Sequence, residues 1–125
     1  MEGRCHVERK SVDDAQSTVL GWESQHERNE ELLGRRNRFE KELENLEKIE
    51  AALIIVEGSI GDCLTLMPEW GDKSSELNAK IFYRSILAYM QDYRVNWMFA
   101  DGRRLAEIAT YRFLERFWKR YSKSG

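Results

Sequence analysis

One run of six apolar residues, Ala51 to Val56, constrains the fold of this chain more than any other feature. Its last three residues are β-branched and no polar residue interrupts it, which is typical of a strand covered on both faces in a parallel sheet. The run is far shorter than the ~20 apolar residues of a membrane-spanning helix. Because the N-terminal residues also lack the apolar segment of a secretory signal, we expect a cytoplasmic protein without a membrane span.

Two further strands are predicted on either side of this run. Residues 3–10 place Cys5 and Val7 on one side of a strand and polar side chains on the other, and residues 95–99 predict another buried strand. Apolar spacing predicts helices over residues 12–20, 35–50, 77–91 and 103–121, with residues 21–33 as a mobile, helix-prone insertion and residues 60–74 as a loop. Strands separated by helices predict a single α/β domain, in which a parallel sheet has helices on both faces.

Charged residues end two of the three predicted strands. Glu8 and Lys10 close the first strand and Glu57 closes the second, and the carboxyl ends of parallel strands meet at one edge of a sheet. Because residues two apart share a face of a strand, Glu8 and Lys10 point into the same space and Arg9 turns away. Asp14, in the first turn of the next predicted helix, lies within reach of that space.

Two carboxylates and an ammonium group at this point suit metal-assisted hydrolysis of a phosphodiester. The carboxylate oxygens of Glu8 and Asp14 are hard ligands for Mg²⁺ or Mn²⁺, and a bound ion activates water. The ammonium of Lys10 orients that water or stabilises the developing negative charge. The alternative is an exposed ion pair between Glu8 and Lys10, with Asp14 acting only as a helix-capping residue.

The same residues resemble a known family. Glu8-Arg9-Lys10, followed by three residues and then Asp14, is similar to the second half of the signature of the XPF-type structure-specific endonuclease domain, a member of the PD-(D/E)xK nuclease group. Later segments resemble the family in the same order: an arginine-bearing helix at residues 35–46, and strands at residues 54–58 and 97–101. The similarity to small bacterial and phage-type members covers most of the chain from Gly3 onward.

This resemblance implies a three-layer, restriction-endonuclease-like core with a small, mostly parallel sheet flanked by helices and lacking the first strands. It implies metal-dependent cleavage of branched or flap DNA in a bacterial or phage-like setting, with Mg²⁺ or Mn²⁺ as the cofactor. Glu8 and Lys10 are then the catalytic residues, and Glu8 and Asp14 are the metal ligands. Three further residues are candidates for ordering the site or contacting DNA: Arg9, Arg38 and Glu57.

One departure from the family pattern keeps other functions open. The family signature opens with Gly-Asp before Glu-Arg-Lys, and residues 1–7 contain no Gly-Asp. We therefore expect either an N-terminally truncated or late-start copy of a complete nuclease or, as the alternative, a catalytically inactive DNA-binding or scaffold relative that pairs with an active partner. A helix-rich interaction protein in which Glu8-Arg9-Lys10 is accidental is a third reading. Because the last predicted helix is apolar and aromatic, we also predict that the chain forms a homodimer.

Overall fold

The chain folds into an α/β structure around a parallel sheet. The computed structural model describes residues 4–21, 29–69 and 73–124. One sheet has the strand order β1-β2-β3, and both neighbouring pairs are parallel. The strands are β1 (Cys5–Lys10), β2 (Ala51–Val56) and β3 (Asn96–Phe99). The predicted class, a small parallel sheet flanked by helices, is therefore confirmed.

Five helices accompany the strands in the described part of the chain. They are α1 (Val12–Leu20), α2 (Asn29–Leu46), α3 (Ile60–Thr65), α4 (Ser75–Asp92) and α5 (Arg103–Ser124). Helix α2 begins at Asn29, within the range 21–33 that the sequence predicts as a mobile, helix-prone insertion, because Glu and Leu are good helix formers that extend the helix upstream of Gly34. Residues 22–28 of that prediction lie outside the described residues. No described helix is long and apolar enough to cross a membrane.

Strand register divides the side chains between the two faces of the sheet. Glu8 pairs with Ile54, and Ile54 pairs with Trp97, so these residues lie on one face, here called face 1. Arg9 pairs with Ile55 on the opposite face, here called face 2. The chain crosses over twice between neighbouring parallel strands, and the helices of these crossovers, α1 to α4, pack with one another on one side of the sheet.

Each face carries its own apolar core. On face 1, buried side chains of α1, α2 and α4 pack with β2, and they include Val19, Phe39, Leu43 and Phe82. On face 2, Ala106 of α5 packs with strand residues such as Ile55. The molecule therefore has three layers, with α1 to α4 on face 1, the sheet in the middle and α5 on face 2.

Three local predictions fail, each because the tertiary fold decides the outcome. The predicted loop over residues 60–74 contains α3, which is capped by the side chain of Ser59. The third strand is an edge strand with exposed Met98, so it is not covered on both faces. The apolar spacing of residues 103–121 predicts that Leu105 and Ile108 face inward, but both are exposed because α5 packs on the sheet through Ala106, with Ala109 and Phe113 beside it.

Candidate functional site

The candidate site begins where β1 passes into α1. Ser11 follows the strand in an extended conformation, and its Oγ accepts a hydrogen bond from the backbone N–H of Asp14 at 3.1 Å. This cap fixes Asp14 in the first turn, where the helix dipole favours a negative charge. The Nζ atom of Lys10 lies 3.6 Å from Oδ2 of Asp14. The junction therefore places a carboxylate beside the last side chain of the strand.

Lys10 is unusual because it is a buried cation. Only 7% of the residue is exposed, and its Nζ atom lies 5.3 Å from the centroid of the Phe39 ring on α2. Lysine is almost never buried unless it is paired, and the face of an aromatic ring attracts a cation. Asp14 and Phe39 thus hold the ammonium group from two different helices.

Two more carboxylates belong to the same region of face 1. Glu8 is half-buried, and its Oε2 atom lies 3.5 Å from Nε2 of His6. Glu42 on α2 is also half-buried, and burial raises its pKa. The negative charge of Glu8 raises the pKa of Glu42 further, whereas the positive charge of Lys10 opposes that shift. Glu8, Lys10, Asp14 and Glu42 therefore interact electrostatically, and we call them the lysine cluster.

Glu42 is the member of the lysine cluster that sequence reasoning missed. It stands three residues after Phe39 and one before Leu43, both of which are buried. That spacing places it at the border of the buried side of α2. The helical pattern therefore shows that Glu42 lies beside the buried side of α2. It does not show that Glu8 of β1 is nearby, because that depends on how α2 packs on the sheet.

The opposite face of the strand end carries a different set of charges. Nη2 of Arg9 lies 2.6 Å from Oε2 of Glu57 and 3.7 Å from Oε1 of Glu107, and the hydrogen bond with Glu57 raises the pKa of Arg9. The backbone N–H of Glu57 also donates to the carbonyl of Lys10 at 2.8 Å. Glu57 therefore holds the end of β1 through both its side chain and its backbone.

The predicted site residues are thus divided between two faces. The structure brings Lys10 and Asp14 into contact and puts Glu8 on the same face, whereas Arg9 and Glu57 pair on face 2. Arg38 is exposed on α2, next to Phe39. The roles of Arg9, Arg38 and Glu57 in ordering the site or contacting DNA stay predictions.

The carboxylates of the cluster were also considered as metal ligands. Among the described residues, no group of three or more His, Cys, Asp and Glu side chains is arranged to hold a metal ion. Mg²⁺, however, is usually held by one or two carboxylates together with water and substrate phosphates. Carboxylate oxygens such as those of Glu8 and Asp14 are the donors that such an open site uses, and the metal role of these two residues stays a prediction.

Comparison with known proteins assigns no relative to this chain: no family model, curated protein or solved structure matches it. The resemblance to the XPF-type endonuclease domain therefore stays a prediction made from the residues. The fold and the site define an α/β protein with a buried lysine among carboxylates at the carboxyl end of an edge strand.

Proposed function

We propose that this chain is a cytoplasmic, metal-dependent DNA endonuclease of the XPF type, which cuts branched or flap DNA by hydrolysing a phosphodiester. The observation that carries the proposal is the nearly complete burial of Lys10 beside Asp14, on the face that also bears Glu8. Burying an ammonium group costs free energy that an ion pair offsets only in part, so a buried lysine here favours a role that an apolar residue cannot serve. Stabilising an anionic phosphate is such a purpose.

The implied cofactor has a defined place in this proposal. Glu8 and Asp14 would hold Mg²⁺ or Mn²⁺, with water completing the coordination. When bound, such an ion neutralises phosphate charge and makes water more acidic. Glu42, half-buried near Glu8, adds to the negative potential that attracts a cation to this part of face 1.

The chain's own residues supply the remaining chemistry. Lys10 presents a positive charge to the phosphate, and its fixed position means that little reorganisation is needed as negative charge develops. Phe39 and the cap of α1 restrict where that charge lies. Glu57 keeps the end of β1 in register through its contacts with Lys10 and Arg9.

The proposal is tested with a labelled flap DNA and the purified full chain, in Mg²⁺ or Mn²⁺ and in EDTA. We expect wild-type cleavage only with the metal, and Lys10→Met should lower the rate by about 10²–10³, the usual cost of removing a fixed electrostatic group. Lys41→Met, which removes an exposed lysine of α2, is the matched control and should retain the wild-type rate. Cleavage that survives Lys10→Met would contradict the proposal.

The same DNA distinguishes the inactive alternative. If wild-type protein does not cut with either metal but binds DNA without metal, in a salt-sensitive manner that survives Glu8→Ala, the chain is a binding or scaffold relative. If it neither cuts nor binds DNA at low salt, both forms of the proposal are wrong.

We also propose that a second copy of the chain pairs through α5. Four exposed side chains recur on this helix at spacings of three, four and three residues, the spacing of a seam between paired helices: Tyr111, Leu114, Trp118 and Tyr121. Sedimentation equilibrium should therefore give a dimer for the wild type and a monomer for the double variant Leu114→Glu and Trp118→Glu. A wild-type monomer at every concentration would overturn this proposal without bearing on cleavage.

A further inference from the structure

The outer face of α4 is another exposed apolar surface in the described part of the chain, and it lies on a different layer from α5. Buried residues such as Phe82 and Ile86 occupy the inner side of α4. Three large apolar side chains recur at spacings of four and three residues on the other side, each between 42% and 46% exposed: Tyr83, Leu87 and Met90. A contiguous apolar stripe of this kind on a helix marks an interaction surface.

A cavity opens on this surface between α3 and α4. Its volume is about 280 Å³, enough for one bulky apolar side chain, and we call it the α4 groove. The residues that line it are Leu64, Ala79, Lys80, Tyr83 and Arg84. Its walls are therefore apolar with two cations, four residues apart on one side of α4.

The two cations of the groove lack carboxylate partners within the described part of the chain. Neither Lys80 nor Arg84 forms an ion pair there, although Glu76 precedes Lys80 by one helical turn. Some described bases, such as Lys10 and Arg9, have a carboxylate within 4.0 Å, whereas others on the surface, such as Lys41, have none. The groove thus offers an apolar cavity beside two positive charges that no carboxylate of the described residues neutralises.

We propose that the α4 groove docks an acidic, amphipathic segment of a partner protein. One apolar side chain of that segment fills the cavity, and neighbouring carboxylates pair with Lys80 and Arg84. A protein segment fits better than a free small anion because Leu87 and Met90 continue the apolar surface beyond the cavity. A helix laid along α4 covers that whole face, in the manner of an amphipathic helix in a groove. The inference does not depend on the proposed nuclease activity.

The test uses a synthetic, fluorescein-labelled helical peptide of about 16 residues, long enough to form several turns. It carries Leu and Phe on one face and Glu along the borders of that face, where the carboxylates reach Lys80 and Arg84. Anisotropy gives its Kd for the full chain, and amide chemical shifts locate it. We expect the perturbed amides to cluster on α3 and α4, and Lys80→Glu with Arg84→Glu should raise Kd by roughly tenfold.

Matched controls make the result specific. Arg116→Glu with Arg120→Glu changes the net charge equally, at the same spacing, on α5, and should leave Kd unchanged. A second peptide with Gln for every Glu should bind more weakly than the first. The proposal is overturned if both double variants weaken binding equally, if the shifts map to α5, or if the acidic peptide does not bind. It is also overturned if anilinonaphthalene sulfonate, a free amphiphilic anion, binds the groove as tightly as the peptide.

Discussion

Two strand-to-helix junctions of this molecule share a local design and differ in what lies beside them. At the end of β1, Ser11 Oγ accepts from the N–H of Asp14 at 3.1 Å, and after β2, Ser59 Oγ accepts from the N–H of Asp62 at 3.0 Å. Each helix therefore begins with a serine cap and an aspartate in the first turn. Only the first junction has a buried cation, Lys10, against its aspartate. The comparison shows that the local sequence of a cap does not make its aspartate a candidate site residue. Asp14 is a candidate because a buried lysine lies beside it.

The two junctions are also packed against each other. The amide of Gln16 on α1 donates to the carbonyl of Cys63 on α3 at 2.9 Å, and both residues are buried. A Cβ atom at Gly58, which follows β2, would overlap Cγ2 of Val12, the first residue of α1. A substitution at one junction should therefore alter the packing at the other.

The largest expected contrast concerns the thiol at the second junction. Burial raises the pKa of Cys63 to about 11, so at about pH 8 roughly one thiol in a thousand is the reactive thiolate. Cys5 is only half-buried. Iodoacetamide should therefore label Cys5 in the folded protein and Cys63 only after unfolding, as measured by peptide mass spectrometry. Equal labelling of both cysteines in the native protein would contradict the packing described at this junction.

The next contrast separates the two aspartates. Asp14→Asn should lower flap cleavage by about 10²-fold, because it removes one proposed metal ligand and the partner of Lys10. Asp62→Asn should leave the cleavage rate unchanged, although each variant loses about 0.3–1 kcal/mol of favourable interaction with its helix dipole. Single-turnover cleavage and urea unfolding of both variants provide the measurement. Equal losses of cleavage activity in the two variants would mean that Asp14 acts only by stabilising its helix, and not at the site.

A smaller effect is expected at the contact between the junctions. Gly58→Ala should destabilise the fold by about 1–3 kcal/mol, the usual cost of overpacking, because Val12 is stiff and cannot turn away freely. The double variant Gly58→Ala with Val12→Ala should recover part of this loss. Urea unfolding of the single and double variants measures the coupling, and strict additivity would contradict a direct contact.

The smallest effects are expected at the caps themselves. Ser11→Ala and Ser59→Ala should each lower the free energy of unfolding by about 1 kcal/mol. The two losses should be similar because the hydrogen bonds are alike. The free energies of unfolding in urea check this expectation. A much larger loss for Ser11→Ala would show that the cap also supports the contact between Lys10 and Asp14.

Much of this fold is predictable from local patterns. The uninterrupted apolar residues 51–56 predict the central strand, and β2 occupies that range. The alternation before Lys10 predicts a strand with one polar face, and β1 covers Cys5–Lys10, although Lys10 on that polar face is buried. The cap at Ser11 predicts the start of α1, and α1 begins at Val12.

The remainder depends on contacts that no local pattern contains. The short helix α3 was missed because six residues that include a glycine carry little helical periodicity. Glu42 was missed because its relation to Glu8 exists only after α2 packs against β1. The exposed Leu105 and Ile108 show the same limit, since the side of α5 that is buried is chosen by the sheet and not by the helix.

The ring of Phe39 has one further consequence. It lies 5.3 Å from Nζ of Lys10 and 6.1 Å, between centroids, from the ring of Trp97. Indole emission responds to charge and to ring packing in its surroundings. An anion that draws the ammonium away from Phe39 will therefore change the quantum yield of Trp97, so the protein contains an intrinsic fluorophore one ring removed from its buried lysine.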